Sequence, residues 1–73
     1  METNYLTKAQ YSAAKARLTR AMNSGNRHRV IAVVDAQYEE WNGGDYAYPD
    51  DWHRWERART DAEYLLRLEA GGR

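Results

Sequence analysis

The sequence predicts an all-α fold, a compact three-helix domain that occupies residues 1–73. Apolar side chains recur at spacings of three and four in three successive segments, which is the period of one helical face. Glycines at 25, 43 and 44 separate these segments, and no second strand-like run is present to pair with the single β-branched run. The predicted helices cover about 8–23, 27–41 and 50–70.

The first predicted helix has clear signals at both ends. Thr7 is suited to the N-cap, and the sequence Asn23-Ser24-Gly25 is typical of a helix C-terminus. Between them, one apolar face forms from Tyr11, Ala14, Leu18, Ala21 and Met22. The many alanines allow another helix to approach closely.

The second segment leaves two interpretations open over Val30–Val34, because β-branched side chains also favour strands. A helix is favoured, since a lone strand would leave its backbone groups without partners. The following residues 35–41 are compatible with a helix. Asn26 would cap this helix, and Asn42-Gly43-Gly44 would end it.

The third helix is predicted to begin at Pro49, Asp50 and Asp51. Proline suits the first turn, and the helix dipole favours acidic residues there. A broad apolar face follows and consists of Trp52, Trp55, Ala58, Ala62, Leu65, Leu66 and Leu68. We expect at least two of the tryptophans at 41, 52 and 55 to lie in the core, because burial of large aromatic rings is what stabilises so small a domain.

The composition narrows the classes of function. With no cysteine among 73 residues, the chain has neither disulfides nor a cysteine-based zinc site. The longest apolar run, Val30–Val34, is far short of a membrane span, and the N-terminal residues lack the pattern of a secretory signal. We therefore expect a cytoplasmic protein that does not enter the membrane.

No residue pattern predicts catalysis. Ser12 and Ser24 have no nucleophile-like context, and a domain this small has little room for a water-excluding pocket. His53 and Glu56 could share a helix face, with His28 elsewhere, but their spacing matches no metal motif. We expect a protein that is not an enzyme and that holds no metal or cofactor.

The charge distribution raises the alternative of nucleic-acid binding. Residues 1–34 hold six basic side chains and one acidic, whereas residues 35–73 hold five basic and ten acidic. About twenty residues around Gly25 resemble a helix-turn-helix, although Arg20, Ser24 and Asn26 stand where that pattern is usually apolar. This alternative would use Lys15, Arg20, Arg27 and Arg29. The favoured interpretation of the charge split is that the two halves of the chain pack against each other, or that antiparallel neighbours do so in a dimer.

Protein binding is the favoured function. Six of the nine aromatic residues fall within residues 38–55, and Tyr, Trp and Arg are enriched in interface hot spots. The folding of three helices gives no evident reason for Tyr46 and Tyr48. The predicted contact surface comprises Tyr46, Tyr48, Asp50, Asp51, Trp52, Arg54 and Arg57.

The small size, the Arg/Ala/Asp-rich composition and the run "YPDDWHRWERA" at 48–58 resemble small accessory proteins of phages that infect GC-rich bacteria. The resemblance implies a role in binding a host protein to alter its activity, and it transfers no functional residues. A further alternative is a homodimer built through the apolar face from Tyr64 to Leu68 of the third helix.

Overall fold

The computed structural model describes residues 3–71 and contains three helices, which confirms the predicted all-α class. Their bounds are Lys8–Asn23 (α1), Arg27–Gly43 (α2) and His53–Gly71 (α3). Helix α2 packs against both of the others, whereas α1 and α3 make fewer direct contacts with each other. The run Val30–Val34 is helical, with Val30 and Val34 buried.

The first two helices begin as their sequences predict. The Thr7 hydroxyl accepts a hydrogen bond from the Gln10 backbone N–H at 3.1 Å, and Gln10 Oε1 accepts one from the Thr7 backbone N–H at 2.8 Å. The two bonds form a complete capping box. The Asn26 side chain accepts the Arg29 N–H at 3.1 Å. Gly25 adopts φ +74° in the short turn between α1 and α2, a conformation that favours glycine.

Helix α3 begins three residues later than predicted. Residues 49–52 form a separate turn, in which the Pro49 carbonyl accepts the Trp52 N–H at 3.0 Å. The Asp51 carboxylate accepts a hydrogen bond from Tyr11 on α1 and one from Arg54, three residues further along the chain. Because α3 begins at His53, Asp50 and Asp51 precede its first turn and are not the first-turn acids that the sequence predicts.

The core has an aliphatic end and an aromatic end. Small and branched side chains from all three helices form the first, and Trp41 and Trp55 form the second, with their rings edge to face at 5.2 Å. Both tryptophans are fully buried, while Trp52 is half-buried, so the expectation of at least two core tryptophans is confirmed. The aliphatic residues are Ala14, Leu18, Ala21, Val30, Val34, Ala58 and Ala62.

Ion pairs join the basic first half of the chain to the acidic second half. Arg27 lies 2.9 Å from Glu69, and Arg17 lies 3.6 Å from Glu40. Part of the charge split predicted from the sequence is therefore neutralised within the chain.

Candidate functional site

The N-terminal segment and the α2–α3 connection are joined through Asn4. Its backbone N–H donates to the Asp45 carbonyl at 3.1 Å, and its carbonyl accepts the Ala47 N–H at 2.8 Å, which forms a short parallel bridge. The Asn4 side-chain amide donates to the Gly44 carbonyl at 2.6 Å. These bonds fix residues 3–7 beside the connection.

Tyr46 anchors the connection to the helices. Its backbone N–H donates to the Trp41 carbonyl at 2.9 Å, and its hydroxyl accepts the Gln10 side-chain amide at 3.1 Å. The ring is half-buried and packs against the core. The prediction that folding gives no reason for Tyr46 is therefore wrong. Its contacts are made with residues distant in sequence, such as Gln10, and sequence spacing does not show them.

A matched pair of glycine substitutions tests this packing. A Cβ at Gly44 would lie 2.6 Å from a ring carbon of Tyr46, so Gly44→Ala should destabilise the protein by about 1–3 kcal/mol through overpacking. A Cβ at the adjacent Gly43 meets no atom within 4 Å, so Gly43→Ala should be neutral or stabilise by about 0.5 kcal/mol. Urea unfolding measures both. Equal free energies of unfolding for the two variants would contradict the placement of the Tyr46 ring.

Tyr48 has a different environment and remains partly accessible. Its ring stacks on Tyr38 at 5.5 Å and lies 5.3 Å from Trp41, and its hydroxyl donates to Asn42 Oδ1 at 3.1 Å. The residue is still 36% exposed. Burial, together with the hydrogen bond to Glu56, raises the pKa of the neighbouring Tyr38. The aromatic cluster thus holds Tyr48 in place and leaves part of its surface free to contact a ligand.

An open groove of about 330 Å³ lies between the N-terminal segment and the connection. We call it the tyrosine groove, because three of its lining residues are Tyr5, Tyr11 and Tyr48. Tyr5 is 77% exposed. The remaining lining residues are Leu6, Ala47, Pro49 and Asp50. Tyr5, Leu6 and Tyr11 were absent from the predicted contact surface, since no local sequence signal shows that the N-terminal segment returns to residue 46.

Asp51 lies beside this groove and connects α1 to α3. Its carboxylate accepts the Tyr11 hydroxyl at 2.6 Å and Arg54 Nε at 3.1 Å. The Tyr11 hydrogen bond, aided by Arg54, lowers the pKa of Asp51 below its ordinary 3.8. The same hydrogen bond is the main cause of a raised pKa for Tyr11.

The lowered pKa of Asp51 predicts a loss of stability in acid. The unfolded chain binds this proton at a higher pH than the folded chain does, so the contribution is complete above about pH 3.8 and is lost as pH falls further. Asp51→Asn should lower the melting temperature at pH 7 and flatten its decline between pH 4 and about pH 2. Asp50→Asn changes an exposed residue, and its melting temperature should fall with pH as that of the wild type does. Identical pH profiles for Asp51→Asn and wild type would contradict this role.

The structure separates the residues of the predicted contact surface. Tyr48 and Asp50 line the tyrosine groove, and Tyr46 lies partly beneath the connection. Trp52 is half-buried and stacks on His53, with ring centroids 3.8 Å apart. A second groove, between α1 and α3, is lined in part by Asp51, Arg54 and Arg57. The predicted set therefore falls on two different surfaces.

The basic residues of the nucleic-acid alternative also have separate environments. Arg27 pairs with Glu69, and the Lys15 ammonium lies 5.2 Å above the Tyr11 ring centre. Arg20 and Arg29 are exposed near the α1–α2 turn. Binding of nucleic acid through these four residues stays a prediction.

No metal site is found among residues 3–71, where no group of three His, Asp or Glu side chains could hold an ion.

Across the described helices, none is both long enough and apolar enough to span a bilayer.

Comparison of the chain with protein-family models, with curated proteins and with solved structures found no match.

Proposed function

We propose that this protein is a small protein-binding module whose contact surface is the tyrosine groove. The observation that supports it best is Tyr5, a large aromatic side chain left 77% exposed on a segment that backbone hydrogen bonds hold in place. Exposed aromatics on an ordered backbone lose little conformational entropy on binding, which is why Tyr is frequent in binding surfaces. Tyr48 supplies a second, partly exposed ring in the same groove.

The lining of the groove favours an extended segment of a partner protein. Grooves lined by aromatic rings are the kind of surface on which proline-rich peptides dock in an extended conformation. The one charged residue among those that line the groove is Asp50. A basic side chain in the ligand would pair with Asp50, or lie over a tyrosine face as a cation–π contact. The proposed ligand is therefore an extended peptide with apolar and basic residues.

The biological role proposed is modulation of a partner protein. The resemblance to phage accessory proteins supports a host protein as that partner, met in the cytoplasm. On this account the chain acts by occupying the partner's surface and supplies no catalytic group.

Peptide selection tests the proposal. A random peptide library panned on the immobilised protein should enrich sequences that combine apolar and basic residues. Fluorescence anisotropy then gives the affinity of a selected peptide for each variant. Tyr5→Ser should weaken binding at least about tenfold, a loss of about 1.4 kcal/mol, without lowering the melting temperature. Asp50→Asn should weaken binding and reduce its salt dependence.

Tyr64→Ser is the matched control, because Tyr64 is 54% exposed on α3 and lies outside the tyrosine groove. This variant should bind the selected peptide as wild type does. Equal affinities for the Tyr5 and Tyr64 variants would overturn the proposal, as would a library that yields no enriched peptide. If the protein captures partners from a bacterial lysate and nuclease treatment abolishes that capture, the nucleic-acid alternative would be favoured instead.

A further inference from the structure

A second groove of about 490 Å³ separates α1 from α3 on another part of the surface. Leu18 and Ala58 contribute apolar atoms to it, and Met22 remains 53% exposed at its edge. Near Met22 and Asp61 the groove adjoins a smaller one of about 200 Å³, which extends along α3 to Leu65. Apolar surface thus runs along α3, and no element among residues 3–71 covers it.

The α3 side of this groove carries a regular stripe of exposed residues, which we call the α3 stripe. Its members follow each other at intervals of three or four, so they lie on one helical face over about 21 Å. The first two are basic, the third is acidic and the last two are apolar. They are Arg54, Arg57, Asp61, Leu65 and Leu68.

Two charges in the α3 stripe have no ion-pair partner among residues 3–71, namely Arg57 and Asp61. By contrast, Arg54 pairs with Asp51, and Arg59 pairs with Asp35 and Glu63. The unpaired arginine precedes the unpaired aspartate by four residues on the same face. Such an order is self-complementary when two copies of the helix run antiparallel, because each arginine then meets the other copy's aspartate.

We propose that the α3 stripe binds a second copy of this chain, with the two α3 helices antiparallel about a two-fold axis. Arg57 of each copy pairs with Asp61 of the other, an isologous contact that occurs twice. The same arrangement sets Leu65 opposite the aliphatic stem of Arg54, which covers apolar surface while its charged end stays in water. No residue of the α3 stripe lines the tyrosine groove, so each contact is tested with its own set of variants.

Sedimentation equilibrium over about 1 µM to 1 mM tests the proposal, since small interfaces give affinities in this range. Wild type should approach twice its 8.5 kDa mass as concentration rises. Arg57→Glu and Asp61→Arg should each associate at least tenfold more weakly, because like charges then face each other. An equimolar mixture of the two variants should form a one-to-one dimer, in which both ion pairs are restored. The double variant R57E/D61R should dimerise as wild type does.

Arg67→Glu is the matched control, because it makes the same charge change at an exposed α3 position off the stripe. It should leave the dimer intact. Circular dichroism verifies that each variant is folded. If the wild-type chain is monomeric at every concentration, the proposal is overturned. That result is expected if the groove binds only a different protein. A folded Arg57→Glu chain that dimerises normally, or a mixture that fails to associate, overturns it equally.

Discussion

Trp55→Ala should abolish folding at room temperature. Trp55 is fully buried, its ring lies 5.2 Å from Trp41 and 6.2 Å from Tyr11, and it thereby joins all three helices. Truncation of a buried tryptophan to alanine costs about 3–5 kcal/mol. A single core in a domain this small supplies about 3–5 kcal/mol in total, so the loss is comparable to the whole stability.

Circular dichroism at 222 nm and a urea titration measure this effect. Trp52→Ala is the control, because Trp52 is only half-buried and its loss should cost about 1 kcal/mol. Trp55→Phe should retain the fold, since it keeps an aromatic ring and removes an indole N–H that finds no acceptor among residues 3–71. If Trp55→Ala unfolds cooperatively at the same urea concentration as the wild type, the packing described is contradicted.

Arg17→Leu should destabilise the protein by about 1–3 kcal/mol through its effect on a buried amide. Gln37 is 2% exposed, and its Oε1 accepts a hydrogen bond from Arg17 Nη1. Its Nε2 already lacks a partner within residues 3–71. Without Arg17 the carbonyl oxygen would be unpaired as well, and an unpaired buried polar group costs more than the bond itself contributes.

The double variant Arg17→Leu/Gln37→Leu provides the control. Replacement of both partners by apolar groups removes the unpaired amide, so the double variant should be markedly more stable than Arg17→Leu alone. Urea unfolding of the wild type, the double variant and the single variants Arg17→Leu and Gln37→Leu gives the coupling free energy. Additive losses would show that the two side chains do not interact in solution.

Local signals explain why most of the fold could be predicted. Thr7 and Asn26 cap α1 and α2 as the sequence predicts, and the apolar spacing identifies most of the residues that are buried. Met22, Leu65 and Leu68 are exceptions, because they lie on the predicted apolar faces but are exposed. The ambiguity at Val30–Val34 arose because propensity alone does not separate a helix from a strand there. In the structure the helical period is satisfied, since Val30 and Val34 face the core four residues apart.

The candidate surfaces depend on contacts between distant parts of the chain. Asn4 bonds to residues 44, 45 and 47, and Tyr11 bonds to Asp51 forty residues away. No spacing rule predicts such contacts, so the predicted contact surface includes Tyr48 and Asp50 of the groove lining but not Tyr5 and Tyr11. The sequence predicts that Arg54 and Arg57 share a surface with the tyrosines, but in the structure they follow the turn at 49–52 and line the α1–α3 groove.

NMR titration of the labelled protein with a selected peptide tests most directly whether the tyrosine groove receives the partner. We expect the aromatic resonances of Tyr5, Tyr11 and Tyr48 to shift with one common affinity, while those of Tyr64 are unchanged. Shifts confined to Tyr64 and the α3 stripe, or to residues near the α1–α2 turn, would contradict binding in the tyrosine groove.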